Sequence, residues 1–210
     1  MFTYWQLLTL SLIAFAPLLW MVLTGQKVNS LADLGHLVSA AVTSLTVALA
    51  AFNWGLWRIL PRALSPKPDL NGTWLVALTP TEPSGHSLAP IKAYMRVKQS
   101  YTNLSMRLFT ENTHSELISE TIGVLKSGTF QLSAIYECEP YIPGRIPLHR
   151  GAMVLIEEGA GRKRTFKGHF WIDGDLIDSS GNRLNDGQIS LSSRKRKRYN
   201  SYLEANAAFK

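Results

Sequence analysis

The chain has 210 residues, of which 46% are hydrophobic, and it carries a formal net charge of +7 and a single cysteine. This length suits one modest globular domain plus a further segment, and one cysteine excludes an intrachain disulfide, in agreement with a reducing compartment. The basic excess is not spread over the chain, because residues 69–193 hold 12 Lys and Arg against 13 Asp and Glu. Proteins that bind duplex nucleic acid usually spread basic residues over a face, so we predict no such partner.

Two long uncharged segments lie at the N-terminus. Residues 1–26 and 34–57 contain no Asp, Glu, Lys or Arg, and each exceeds the roughly 20 residues that a helix needs to cross a bilayer. Because so few residues separate them, the sequence predicts a two-helix transmembrane hairpin over residues 1–60. The first segment lacks a basic start, so we expect an anchor rather than a cleaved signal peptide.

Positive charges next to the second span set the expected orientation. Arg58, Arg62 and Lys67 follow this span, whereas the loop between the spans offers only Lys27. By the positive-inside rule, both termini and the C-terminal domain are predicted to be cytoplasmic.

One face of the second span carries small residues at helical spacing: Ala40, Ser44, Ala48, Ala51 and Gly55. Small side chains let transmembrane helices approach closely. Two interpretations stay open: the face is the seam of an oligomer, or it packs on the first span within one protomer.

Residues 61–69 form a hinge that contains three prolines. Proline stops a helix and stiffens the path that follows it, so the hinge has little slack. We predict that it transmits association of the C-terminal domains to the helices.

Residues 70–194 alternate between apolar and polar side chains and contain frequent turn residues, which predicts antiparallel strands. Eight strands are expected, at 73–79, 91–99, 104–110, 116–124, 130–138, 149–156, 165–172 and 187–193. Eight short strands favour a closed, up-and-down, lipocalin-like minimal β-barrel, with a β-sandwich as the alternative. The basic tail, residues 195–210, follows, and a short helical period appears near its end. We interpret the run Arg194–Arg198 as solvated or bound to anionic lipid; the alternative is direct contact with a ligand phosphate.

Alternation also predicts which side chains point into the barrel. The inward rows are apolar along most of their length and become polar or aromatic at Gln99, Tyr136 and His149, which predicts a filled barrel with a polar mouth. Cys138 lies between Glu137 and Glu139, whose charges are expected to disfavour a thiolate, so we interpret it as a structural thiol.

Motifs of catalysis and metal binding are missing. The five histidines have no metal-ligand spacing, and the sequence contains no P-loop, no nucleophile elbow and no glycine-rich dinucleotide motif. We therefore expect no enzyme activity, no metal and no cofactor.

Four short motifs in this order carry a family resemblance: Leu70-Asn-Gly-Thr-Trp74, Val97-Lys-Gln99, Leu148-His-Arg-Gly-Ala152 and Lys167-Gly-His-Phe170. With two N-terminal spans and a proline-rich hinge before them, the chain resembles the two-transmembrane, β-strand-rich effectors of bacterial CBASS antiphage systems. The resemblance implies that a partner synthase makes a cyclic dinucleotide during infection and that the barrel binds it. It further implies that the chains then form homo-oligomers, that the inner membrane is disrupted, and that the infected cell dies.

A cyclic dinucleotide needs aromatic stacking surfaces, base-edge partners and phosphate contacts. The expected ligand residues are Tyr136, Tyr141, Arg145, His149 and Arg150, with Gln99 and Thr110 at the polar mouth. The alternative function is a membrane-tethered carrier or scaffold for an apolar ligand or a protein partner, which predicts a roomy, apolar barrel interior.

Overall fold

The computed structural model describes residues 30–60, 67–82, 84–142, 148–159, 164–173 and 186–210. The chain divides into two compact units. One unit holds the chain up to Lys67 together with the turn Ser100–Thr102, and the other holds Pro68–Gln99 and Asn103–Lys210. The first predicted span, residues 1–26, lies outside the described residues, so the two-helix hairpin stays a prediction.

The described part of the first unit contains the long apolar helix α1 (Leu31–Trp54). Ser30 and Asp33 begin it with a capping box: the Ser30 hydroxyl accepts from the Asp33 N–H at 3.1 Å, and the Asp33 carboxylate accepts from the Ser30 N–H at 3.0 Å. Its 24 residues extend about 36 Å. Within the described ranges it is the one helix long and apolar enough to cross a membrane. This helix supports the second predicted span and membrane association of the chain.

The second unit is a closed barrel in which each strand is antiparallel to the next and the last strand pairs with the first. The strands are β1 (Gly72–Thr81), β2 (Ile91–Gln99), β3 (Leu104–Phe109), β4 (Thr113–Val124), β5 (Phe130–Pro140), β6 (His149–Glu158), β7 (Thr165–Asp173) and β8 (Asp186–Lys195). The predicted eight-stranded, up-and-down barrel is thus confirmed, and the sandwich alternative is wrong. Closure leaves no unpaired sheet edge.

Most of the inward residues that alternation predicts are buried. Trp74 on β1 and Phe166 on β7 pack edge to face, with 5.7 Å between ring centroids, and the Trp74 indole N–H donates to the Leu70 carbonyl at 2.8 Å. Other inward residues surround this pair, among them Met95, Val97, Met106, Leu132, Ala134 and Leu155. Apolar burial of these rows is the main source of barrel stability.

Strands β6 and β7 approach closely at Gly168. A Cβ on Gly168 would lie 1.7 Å from the carbonyl oxygen of Val154. No side chain larger than hydrogen fits this contact without movement of the backbone. The close packing of the two strands therefore requires glycine at position 168, within the motif Lys167-Gly-His-Phe170.

Gln99 closes the barrel at the end where β2 finishes, and the prediction that it lies at the polar mouth is wrong. Its side-chain oxygen accepts from the Leu70 N–H at 2.8 Å, and its side-chain nitrogen donates to the Pro68 carbonyl at 3.0 Å. The side chain is buried. A long amide at this position satisfies the two backbone groups of the chain as it enters β1, a pairing that alternation alone does not reveal.

Replacing this amide, Gln99→Ala, is expected to lower the free energy of unfolding by about 2–4 kcal/mol, because two buried backbone groups lose their partners. Equilibrium denaturation in urea measures the change. The control is Gln188→Ala, an exposed glutamine on β8, for which we expect a change within about 0.5 kcal/mol. Equal stability of the two variants would contradict the structural role of Gln99.

The C-terminal tail folds back on the outside of the barrel. Arg194 forms an ion pair with Asp69 at 3.5 Å, and its guanidinium lies 5.4 Å from the Trp74 ring centroid. The hydroxyl of Thr73 donates to the Lys197 carbonyl and accepts from the Tyr199 N–H, at 2.9 and 3.0 Å. A short helix, α2 (Tyr202–Ala208), follows. Residues 194–198 are all exposed, which fits the interpretation of the basic run as solvated, although Arg194 is also paired with Asp69.

Candidate functional site

The barrel holds a cavity of about 430 Å³ at one end. We call this end the mouth; it is the end at which β1, β3, β5 and β7 finish, and the opposite end is the base. The predicted filled interior is correct at the base and wrong at the mouth. Apolar side chains form most of the cavity wall, among them Leu78, Met95, Met106, Leu108, Leu117, Met153, Phe170, Ile172 and Ile189.

Short polar side chains leave the mouth half unfilled. Thr113 and Ser115 on β4 and Cys138 on β5 are buried residues that line the cavity, and larger apolar residues at these positions would fill the space. Ser115 lies opposite Cys138, and Cys138 lies opposite His149 on β6. These four side chains, the polar wall, form one patch across three neighbouring strands.

The polar wall lowers the pKa of the Cys138 thiol. Burial is the largest influence and raises this pKa, but hydrogen bonds with His149, Ser115 and Thr113, together with the charge interaction with His149, outweigh the burial, because they stabilise the thiolate. Glu137, by contrast, makes its ion pair on the outer face of the barrel, since successive side chains of a strand point to opposite faces. The prediction that the neighbouring carboxylates disfavour a thiolate is therefore wrong.

Tyr136 lies against a glycine inside the cavity. Its phenol O–H donates to the Trp171 carbonyl at 3.3 Å, and a Cβ on Gly151 would lie 2.4 Å from the phenol oxygen. Burial first, and then the nearby Cys138, raise the pKa of Tyr136 far above its usual value. The phenol is thus neutral at physiological pH, and its ring presents an aromatic surface to the cavity.

Thr110 organises the turn between β3 and β4. Its hydroxyl accepts from the backbone N–H of Thr113 at 2.9 Å and lies 2.8 Å from the Thr113 hydroxyl. Since Thr110 also lines the cavity, this pair of hydroxyls connects the turn to the polar wall.

Three predicted ligand residues, Thr110, Tyr136 and His149, come together around the cavity. Three others do not line it: Gln99 lies at the base, and Arg150 and Tyr141 lie outside the cavity. Arg150 faces outward and pairs with Glu137 at 3.0 Å, and Tyr141, about half exposed, stacks on His114 with 5.3 Å between ring centroids. Arg145 lies in the segment between β5 and β6, outside the described residues, so its phosphate role stays a prediction.

Sequence reasoning missed several residues of the cavity wall. Extending the alternation of β4 back from Leu117 would have found Thr113 and Ser115, because both have the same parity as Leu117. Lys92 and Tyr202 also line the cavity; they lie more than a hundred residues apart in the chain, and no local pattern connects them.

Charged residues lie at the rim of the cavity. Among its described lining residues, Lys92 is the one Lys or Arg, and Glu111 and Glu116 lie on the β3–β4 side. The Lys92 ammonium donates to the Asn206 side chain at 3.0 Å. Within the described ranges, no group of three His, Cys, Asp or Glu residues is arranged to hold a metal ion. The site thus offers an apolar cavity with a polar wall, aromatic surfaces and one cationic rim position.

Comparison with known proteins gives one family. The family model described as "Cap15, cyclic dinucleotide receptor domain" matches residues 65–191, a range that covers all of β1 to β7 and most of β8. A search of curated proteins found no match to the chain.

Proposed function

Because this chain belongs to the family of the Cap15 cyclic dinucleotide receptor domain, a CBASS effector family, we propose that its barrel binds a cyclic dinucleotide in the cavity at the mouth. Ligand binding then makes the chains associate, and associated transmembrane helices disrupt the bacterial inner membrane and kill the infected cell. A cyclic-dinucleotide synthase is the functional partner that supplies the ligand. The barrel and both termini are cytoplasmic in this proposal.

The observation that carries the proposal is an open cavity inside the matched domain. A cyclic dinucleotide presents flat bases, ribose hydroxyls and two phosphates. Tyr136 and Phe170 offer aromatic surfaces, and the polar wall, with His149 at its end, offers hydrogen-bond donors and acceptors. The closed base and the stiff barrel present these groups in fixed positions, which reduces the ordering cost of binding.

The membrane part of the proposal is supported by α1. The helix has 24 residues, and none of its side chains is buried within the described part of the chain, so its apolar surface is free to contact lipid or other helices. Its small residues provide the face along which copies would associate.

Thermal melting of the full chain in detergent micelles tests ligand binding. We expect one member of a panel of cyclic di-AMP, cyclic di-GMP, cyclic di-UMP and cyclic GMP–AMP to raise the melting temperature. A ligand at 100 times its Kd adds about 2.7 kcal/mol to the stability, which corresponds to a rise of roughly 5–10 °C for a domain of this size. The linear dinucleotides of the same bases are the controls. Unchanged melting with every member of the panel would contradict the proposal.

A second candidate function is favoured by the mostly apolar cavity wall. A carrier of an apolar ligand would retain such a ligand through purification, and organic extraction followed by mass spectrometry would identify it. If the extracted ligand and the cyclic dinucleotides do not compete, the carrier function is the better explanation of the cavity.

A further inference from the structure

The C-terminal helix α2 contributes to the cavity although it lies outside the segment that the family model matches. The match ends at residue 191, whereas Tyr202, the first residue of α2, lines the cavity. We propose that α2 completes the entrance of the site and that Tyr202 and Lys92 form a nucleotide subsite there, in which Tyr202 stacks on one base of the ligand. This inference rests on the proposed function.

The chain between β8 and α2 is fastened to the barrel. The Thr73 hydroxyl bridges the Lys197 carbonyl and the Tyr199 N–H. The Ser201 hydroxyl then accepts from the Glu204 N–H at 3.3 Å and begins α2, while the Glu204 carboxylate accepts from the Asn200 N–H at 3.0 Å. These bonds determine where the helix begins, and hence where its first residue, Tyr202, lies.

The helix itself packs on the outer face of β2. Tyr94 is fully buried beneath two rings of the C-terminal segment, Tyr202 at 5.5 Å and Phe209 at 5.3 Å between centroids. The Tyr94 hydroxyl donates to the Asn206 side chain at 2.9 Å, and Ala205 is completely buried. A buried tyrosine with a satisfied hydroxyl makes this a specific contact, so α2 is a fixed part of the barrel.

Tyr202 is both packed against the barrel and partly accessible. Its ring rests on Tyr94, yet the residue is only half-buried and borders the cavity. A supported aromatic ring at the entrance of a cavity is suited to stack on a nucleobase, since every base has a flat face and a fixed ring loses little freedom when it stacks.

The charges of the rim favour the phosphate on the same side. Lys92 adjoins α2 through Asn206, and hydrogen bonding with Tyr94 raises the pKa of its ammonium, so it is a cation at neutral pH. Glu111 and Glu116 lie at and just after the turn between β3 and β4, and Glu116 is paired with Arg107 at 2.5 Å, so Lys92 is the cationic residue on the side of α2 among the described lining residues. A nucleotide that places its base on Tyr202 thus has its phosphate next to Lys92.

If Tyr202 stacks on one base, the preference of the protein for particular bases depends on its C-terminal segment. Residues 65–191 carry the family's barrel, and the segment that follows adds one aromatic surface of its own. Chains with the same barrel and a different C-terminal segment are expected to rank the cyclic dinucleotides differently.

Affinities of the full chain in detergent micelles test the subsite, with the cyclic dinucleotide that raises the melting temperature most as the probe. Tyr202→Ala and Tyr202→Leu are expected to weaken binding at least about tenfold, whereas Tyr202→Phe keeps the ring and binds within about twofold. The matched control is Leu203→Ala, because Leu203 is the next residue of α2 and is 77% exposed. Melting of each ligand-free variant checks that the fold is retained.

The Leu variant separates stacking from packing, because leucine still covers Tyr94 but has no aromatic face. Wild-type affinity of Tyr202→Leu, or of Tyr202→Ala, would overturn the stacking role while the proposed function stands. If the unsubstituted chain binds no member of the panel, both the proposed function and this inference are overturned.

Discussion

Filling the cavity with one aromatic ring is expected to abolish ligand binding. Ser115→Phe places a phenyl group at the centre of the polar wall, in a cavity of about 430 Å³. The ring removes space that the ligand needs, and loss of the Ser115 hydroxyl removes one hydrogen-bond partner of Cys138. We expect the affinity for the cyclic dinucleotide to fall by about 100-fold or more, which corresponds to at least about 2.7 kcal/mol. Titration calorimetry of the full chain in detergent measures the affinity.

The fold is expected to survive Ser115→Phe, because the new side chain enters existing space and does not displace packed neighbours. Ser105→Phe is the matched control: Ser105 is exposed on the outside of β3, so the same substitution there leaves the cavity unchanged. Ser115→Ala removes only a hydroxyl and is expected to weaken binding by about tenfold or less. Retained high affinity in Ser115→Phe would show that the ligand binds elsewhere and would contradict the proposed site.

Enlarging the small-residue face of α1 is expected to separate ligand binding from killing. The helix runs without interruption from Leu31 to Trp54, so Ala40, Ser44, Ala48 and Ala51 fall on one face at helical spacing, and Gly55 follows at the end of the helix. Ser44→Leu and Ala48→Leu would keep α1 helical and apolar but hold neighbouring helices apart. We expect unchanged affinity for the cyclic dinucleotide and at least about tenfold weaker self-association and killing.

The control for this pair is Ala50→Leu. Ala50 is on a different face of α1, and the substitution adds the same side chain, so general effects of hydrophobicity on membrane insertion are matched. Self-association is measured by cross-linking in membranes with and without ligand, and killing by the survival of cells that express the chain with its synthase. Full killing by both seam variants would remove this face from the mechanism and favour packing within one protomer.

Much of the fold follows from short-range patterns in the sequence. β2 begins at Ile91 and ends at Gln99 as predicted, because turn residues bound it on both sides and its side chains alternate cleanly. β4 begins at Thr113 and not at residue 116, because its first inward residues are Thr113 and Ser115, which are polar and break the apolar pattern. The same two residues line the cavity, so the place where alternation failed is the place where the core is left open.

The candidate site could be predicted only in part. Tyr136 and His149 were found because they interrupt apolar rows near strand ends, and Thr110 because it follows such a row. Gln99 showed the same interruption, yet its amide satisfies backbone groups at the base. A polar residue at the end of an inward row therefore lies at one of the two ends of the barrel. The sequence pattern does not say which end this is, or whether the residue faces a ligand or satisfies the backbone.

The sequence by itself determined the apolar N-terminal helix, the eight strands, their antiparallel order and the inward faces of β2, β3, β5, β6 and β7, because these depend on hydrophobic period and on turn residues close together in the chain. The family resemblance, carried by four short motifs, was confirmed by the match to residues 65–191. Only the tertiary structure decided that the interior is filled at the base and open at the mouth, that the Cys138 thiol faces His149 and not its neighbouring carboxylates, and that Tyr202 borders the cavity. Each of these depends on side chains that barrel closure and the returning tail bring together from distant parts of the chain, and such contacts leave no local period in the sequence.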